Sequence, residues 1–125
     1  MKTLSEAEWN IMESLWAESP KVGSRIVADM AQQVGWSRST TLTMLKRMTE
    51  KGIIGCEDNG QMRAYVPLIE REDAVKKETE NFLKRVYHGS VSMLVSSFVE
   101  RQRLSEEELA QLRQILDRAE EEKHE

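Results

Sequence analysis

Between Trp36 and Gly52 the chain reads WSRSTTLTMLKRMTEKG, a run in which hydroxyl and cationic side chains recur at helical spacing. Ser37 sits where an N-cap belongs, and Leu45 and Met48, with Met44 beside them, form an apolar inward face. Ser39, Thr43, Lys46 and Glu50 share the opposite face, flanked by Thr40 and Arg47. Hydroxyls near a helix N-terminus can reach base edges and phosphate oxygens, and Lys46, Arg47 and Lys51 can neutralise backbone charge. The chemistry suggested is therefore DNA recognition rather than bond making. No nucleophile beside a base, paired carboxylates in a cleft or glycine-rich phosphate loop accompanies it, so the sequence gives no basis for an enzyme.

Such a helix has to be held by others. Ser5 and Glu8 form a capping box, with Leu4 and Trp9 as a hydrophobic staple, and predict a first helix from about Glu6 to Ala17. Trp9, Met12 and Trp16 are its expected core stripe, and Pro20 closes it. Ser24 is expected to cap a second helix whose apolar face is Val27, Met30, Ala31 and Val34, with Gly35 as its stop. A short helix, a tight turn and the hydroxyl-rich helix make a helix-turn-helix. Ile53 to Glu57, then Asp58-Asn59-Gly60, then Gln61 to Val66 before Pro67 read as a β-hairpin with a tight Asn-Gly turn. Asn59, Gln61 or Arg63 on this wing could touch the sugar-phosphate backbone, with Glu57 and Asp58 opposing.

Beyond Pro67 the pattern is helical throughout. Val75, Phe82, Leu83 and Val86 mark one helix and Gly89 interrupts it; Val91, Leu94, Val95 and Phe98 mark a second. Leu104 to Leu109 repeats the staple and capping-box arrangement, opening a third helix with the stripe Leu109, Leu112, Leu116 and Ala119 and an acidic tail expected to fray from Glu120. Narrow stripes on so few residues bury little surface alone, which predicts a homodimer through Phe82, Val86, Val91, Leu94, Val95, Phe98, Leu109, Leu112 and Leu116. A dimer sets two DNA-reading helices one or two turns of duplex apart, on a site of two-fold symmetry. The expected fold is mainly α: a winged helix-turn-helix of three helices and a hairpin wing over residues 1–68, then a helical dimerisation region over 69–125.

Composition agrees. The 125 residues are 39% hydrophobic and 32% charged, as in an ordered soluble chain. The net charge of −4 hides an asymmetry: Met1 to Leu68 holds eight basic and eight acidic residues, and the remainder ten and fourteen. Around the third helix, Arg38, Lys46, Arg47 and Lys51 face only Glu50. No apolar run approaches membrane-spanning length and MKTLSEAEW lacks a signal-peptide core, so a cytoplasmic protein without direct membrane binding is expected. The lone Cys56 is expected to be a small buried hydrophobe, and His88 and His124 are too isolated for a metal site. No cofactor is expected.

The segments LSEAEWNIMESLW, GWSRSTTLTMLKRMTEKG, NGQMRAYVP, FLKRVYHGSVSMLVSSFVE and LSEEELAQLRQIL together resemble the penicillinase and methicillin-resistance repressor family, also called BlaI/MecI/CopY, over nearly the whole chain. The resemblance implies a dimeric repressor that binds dyad operators built on TACA/TGTA cores and controls a β-lactamase or an altered transpeptidase. It implies release by cleavage in the dimerisation region, triggered by a membrane-bound sensor with metalloprotease activity. Carried over by residue, Thr40 and Thr43 match threonines that contact bases or phosphates. The wider DNA-binding set is Ser37, Arg38, Ser39, Thr40, Leu42, Thr43, Lys46, Arg47 and Arg63. Ser39 replaces a lysine usual in the penicillinase branch, and Leu42 replaces a polar residue, where it could suit a thymine methyl. The stretch STTLTML is somewhat closer to the copper-transport branch, whose Cys-x-Cys motif is absent. The family's Asn-Phe cleavage pair corresponds to Ser97-Phe98, which keeps the Phe alone.

Two alternatives start from the same residues. One is a winged-helix regulator released by a small ligand, which requires a pocket. The other is a helical adaptor that docks a protein partner, against which the hydroxyl and basic face from Ser39 to Arg47 argues, because protein interfaces favour apolar anchors at their centre.

Overall fold

Helix α1 (Glu6–Ala17) starts as its sequence demands. The Ser5 hydroxyl accepts the Glu8 N–H at 3.1 Å, and the Glu8 carboxylate accepts the Ser5 N–H at 2.8 Å. This is a computed structural model, and it describes residues 3–101 and 104–124. The buried face of α1 is Ile11, Met12 and Leu15. Trp9 and Trp16 lie at the edge of the core rather than within it, edge to face with centroids 5.5 Å apart. Their indoles explain the rim position: a Trp N–H needs a partner, and Trp16 Nε1 donates to the Ile69 carbonyl at 2.8 Å.

After α1 the chain forms strand β1 (Lys21–Val22), which the sequence did not signal because two residues carry no readable alternation. Helix α2 (Gly23–Val34) follows without a linker, so Val22 is its N-cap residue and no side chain caps it. The expected Ser24 cap is thereby corrected: pairing of β1 places the helix start one residue ahead of the serine. The α2 face is also rotated from expectation. Ile26 and Met30 are fully buried, whereas Ala31 and Val34 are exposed. Gly35 ends the helix at φ 73°, a backbone angle that favours glycine.

Helix α3 (Arg38–Glu50) leads into strands β2 (Ile54–Asp58) and β3 (Arg63–Pro67). The antiparallel sheet has the order β1-β3-β2, with Lys21 opposite Tyr65 and Cys56 opposite Tyr65 on the other side. Ile54 and Tyr65 point into the core. The hairpin turn is wider than the two-residue Asn-Gly turn expected, because Asp58 pairs with Arg63 and leaves a four-residue loop. Side-chain bonds stabilise it: Asp58 Oδ1 accepts the Gly60 N–H, and Asn59 Oδ1 accepts those of Gln61 and Met62. Cys56 is exposed, correcting the expectation of a buried thiol; it shares the face of Ile54, but β2 runs out past the core after Ile54 and its residues from Cys56 onward are exposed.

A buried lysine ties the first elements together. Lys21, 4% exposed, places Nζ 2.8 Å from the Ser14 carbonyl, 2.9 Å from the Ser14 hydroxyl and 2.8 Å from Asp29 Oδ2. All three ammonium protons therefore have acceptors.

The chain divides into two compact units, Met1–Thr79 and Glu80–Glu125. The first extends past residue 68 into helix α4 (Arg71–Tyr87), where Ala74 is buried and Arg71 pairs with Glu13 at 2.8 Å. The second contains α5 (Val91–Glu100) and α6 (Glu106–Lys123). Ser90 and Ser105 cap them through the N–H groups of Met93 and Glu108. The acidic run expected to fray from Glu120 is helical to Lys123, a basic last-turn residue suited to the negative helix end.

The Lys21 hydrogen bond, with help from the Ser14 hydroxyl, holds the Asp29 carboxyl below its ordinary value. Burial alone would raise the Glu8 carboxyl, but the Ser5 N–H and the Lys51 ammonium outweigh it and lower this group too. For depressed carboxylates the stabilisation is complete above the unfolded pKa and is lost as pH falls through the folded one. Stability to urea should therefore be level at neutral pH and decline below about pH 4. Asp29→Asn should cost roughly 1–3 kcal/mol at pH 7 and flatten that decline; an acid limb as steep as in the unaltered chain would show that Asp29 does not contribute to it.

Candidate nucleic-acid interface

Helix α3 is anchored on one side only. Thr41, Leu45 and Met48 are completely buried, while Arg38, Ser39, Thr40, Leu42, Thr43, Lys46 and Arg47 are exposed. Thr41 was absent from the sequence-derived inward face, because a threonine among hydroxyl residues looks like part of the polar side. It is buried at little cost since its Oγ1 donates to the Ser37 carbonyl at 3.2 Å. Thr49 hides its hydroxyl in the same way, donating to the Leu45 carbonyl at 2.7 Å.

The leading end of α3 carries a hydroxyl cluster. Ser37 is the N-cap, its Oγ accepting the Thr40 N–H at 3.2 Å, donating to Thr40 Oγ1 at 3.0 Å and lying 3.2 Å from Ser39 Oγ. Ser37 therefore serves the helix first, and Ser39, Thr40 and Thr43 are the hydroxyls offered outward.

Of the shallow concavities that border the exposed face, two hold most of its residues. One, of about 210 Å³, is lined by Ser39, Thr40, Thr43, Met44 and Arg47. The other, of about 360 Å³, lies between α3 and the wing, with Leu42, Lys46 and Thr49 on one wall and Cys56, Arg63 and Tyr65 on the other. The structure thus brings Arg63 beside the α3 residues predicted with it, and turns Leu42 toward the wing. Burial and the adjacent Cys56 thiol push the Tyr65 phenol above its ordinary pKa, so this hydroxyl stays protonated at physiological pH.

The cations divide into two groups. Lys51 was expected to face phosphates, but its Nζ lies 3.0 Å from the buried Glu8 carboxylate. Arg63 has a longer pairing, 3.4 Å, with the exposed Asp58 opposite it on the wing. Among the described residues, no ion pair engages Arg38, Lys46 or Arg47. On the wing tip, Asn59 and Gln61 are both exposed, Asn59 with its side-chain oxygen engaged within the loop.

In the second unit no residue of α5 or α6 is buried. Phe82, Val86, Val91, Val95, Phe98 and Leu116 are exposed, and Leu94, Leu109 and Leu112 are half-buried. Sequence reasoning missed Met93, Val99 and Ile115, which are also exposed. The available signal was that Val99 and Ile115 continue the helical spacing of Val95 and Leu112, whereas Met93 falls off its helix's stripe. Ser97 is half-buried and Phe98 exposed, and both lie inside α5 rather than at an end. No described helix is long and apolar enough to cross a membrane.

Comparison with known proteins agrees with this architecture. The sequence profile of the penicillinase repressor family matches residues 4–118. The methicillin resistance regulatory protein MecI of Staphylococcus aureus (strain N315) is 33% identical over 115 residues, covering 92% of this chain and 94% of its own. The penicillinase repressor of Bacillus licheniformis is 32% identical over 114 residues, covering 91% and 89%. The solution structure of the DNA-binding domain of the repressor BlaI superposes with a TM-score of 0.52 at 29% identity, over 58% of this chain and 93% of that one. Matched over residues 4–118 by the family's profile and a third identical to MecI over nearly its whole length, the chain belongs to the penicillinase repressor family.

Proposed function

We propose that this chain is a DNA-binding transcriptional repressor that acts as a homodimer on an operator of two-fold symmetry. The observation that carries the reading is the one-sided anchoring of α3: a buried stripe of Thr41, Leu45 and Met48 leaves Ser39, Thr40, Thr43, Lys46 and Arg47 together on the open face. Short hydroxyl side chains suit base edges and phosphates, and the cations beside them add sequence-independent affinity. Its relatives are named as a penicillinase repressor and a methicillin resistance regulatory protein, and the BlaI domain supports the same use of the fold.

The dimer is supported by the second unit. Val91, Met93, Phe98 and Val99 are between 46% and 59% exposed, and Ile115 and Leu116 more so, on helices with no buried residue of their own. A second copy of the same unit is the occupant that would remove this apolar surface from water and link two DNA-binding domains. Release would follow from cleavage at Ser97-Phe98 by a protease coupled to a membrane sensor, since everything after that bond would be lost from the interface. The protein would then act in the cytoplasm, where its DNA is.

Thr40→Ala should weaken binding to the operator by on the order of 1 kcal/mol and change binding to random duplex little, whereas Arg47→Ala should weaken both and flatten the salt dependence by about one phosphate contact. Fluorescence anisotropy across a salt series separates the two, and equal losses on both duplexes for Thr40→Ala would demote that residue to backbone positioning. The chain truncated after Ser97 should sediment as a monomer and lose tight operator binding. A truncated chain that remained dimeric and bound as tightly as the full one would refute release by cleavage.

A further inference from the structure

The pairing of Lys51 with Glu8 assigns both residues a role that neither the helix-turn-helix pattern nor the charge count suggests. Glu8 is 4% exposed and divides its carboxylate: Oε1 accepts the Ser5 N–H at 2.8 Å and Oε2 accepts the Lys51 ammonium at 3.0 Å. Lys51 is the C-cap of α3, its own N–H bonded back to the Arg47 and Thr49 carbonyls. The bond joins residues 43 positions apart in sequence, and among the described residues no other side-chain hydrogen bond or ion pair connects α1 with α3 or its caps.

The remaining anchors of α3 are differently suited to the task. Leu45 and Met48 are non-directional contacts, which fix how deep the helix sits better than how it is rolled about its axis. The Thr41 and Thr49 hydroxyls bond within α3 and its cap and so do not tie it to another element. A charged hydrogen bond at the C-terminal end, to an acceptor fixed by the start of α1, supplies direction. A small roll at that end is carried along a helix of about 20 Å to Ser39, Thr40 and Thr43 at the other.

We infer that Glu8 and Lys51 are positioning residues for DNA recognition: the ion pair sets the orientation of α3, and the ammonium of Lys51, on a side chain 59% exposed, is engaged by the buried Glu8 carboxylate rather than by a phosphate. This rests on the DNA-reading role of α3 proposed above. It assigns a residue that looks like part of the basic surface to the opposite task.

Glu8→Gln tests it, because glutamine keeps an oxygen for the Ser5 N–H and turns an amide NH2 toward Lys51, so the pair loses its charge and its acceptor together. Lys51→Met removes the other partner, and Lys51→Arg retains the pair. Binding would be measured, well below the melting temperature, to a duplex enriched from a randomised pool by the unaltered protein and to a scrambled duplex. Glu8→Gln and Lys51→Met should each lower affinity for the enriched duplex by at least about threefold and the double variant by no more than either, with the salt slope unchanged and Lys51→Arg restored. A slope flattened by about 0.9 in Lys51→Met, with equal losses on both duplexes, would make Lys51 a phosphate contact and overturn the inference. Backbone amide shifts of Ser37 to Arg47 provide the arm that needs no DNA. They should move in both neutral variants and return in Lys51→Arg; undisturbed shifts would overturn the inference as well. Failure of the pool to yield any duplex would sink the DNA-reading role instead, and the amide shifts would still decide whether the pair positions α3.

Discussion

The burial of one narrow stripe of α3 is the constraint on which the first unit is built. A helix that reads a duplex has to leave most of its circumference free, so Thr41, Leu45 and Met48 must supply nearly all of its attachment. The rest of the unit prepares the receiving surface. Ile11, Met12 and Leu15 come from α1, Ile26 and Met30 from α2, and Ile54 and Tyr65 from the sheet. Because apolar contacts are non-directional, polar bonds at specific points set the geometry. The Ser37 cap fixes the start of α3, Lys51 with Glu8 its end, and Lys21 with Ser14 and Asp29 the junction of α1, β1 and α2.

Much of this was legible in the sequence because caps and turns are local. Ser5 with Glu8, Ser37 and Gly35 act in the structure as their positions imply. The hairpin was legible as an element but not in its turn, since Asp58 and Asn59 both use side-chain oxygens to widen it. What escaped was set by partners distant in sequence. Strand β1 exists because β3 pairs with it, and the rotation of the α2 face toward Ile26 follows from where that strand delivers the chain. The pairing of Lys51 was hidden for the same reason: its partner is 43 residues away, and a lysine in a basic run gives no sign of that partner.

The charge distribution has a physical logic. The pairings that involve a buried partner place lysines, Lys21 and Lys51, against carboxylates, while Arg25, Arg63 and Arg71 pair at the exposed surface with Glu18, Asp58 and Glu13. Burial and the attraction of fixed carboxylates use up positive charge that a composition count would assign to the outside. The cations left on the α3 face, Arg38, Lys46 and Arg47, are then the ones whose field extends into solvent.

The wing carries a consequence of a different kind. Cys56 is the sole cysteine of the chain and is exposed, on the wall of the groove that separates α3 from the hairpin. A thiol that is both unique and accessible is a ready-made attachment point for a spectroscopic label. A spin label or small fluorophore there would report the mobility and polarity of the groove, without engineering a residue in or out, and would do so once per protomer.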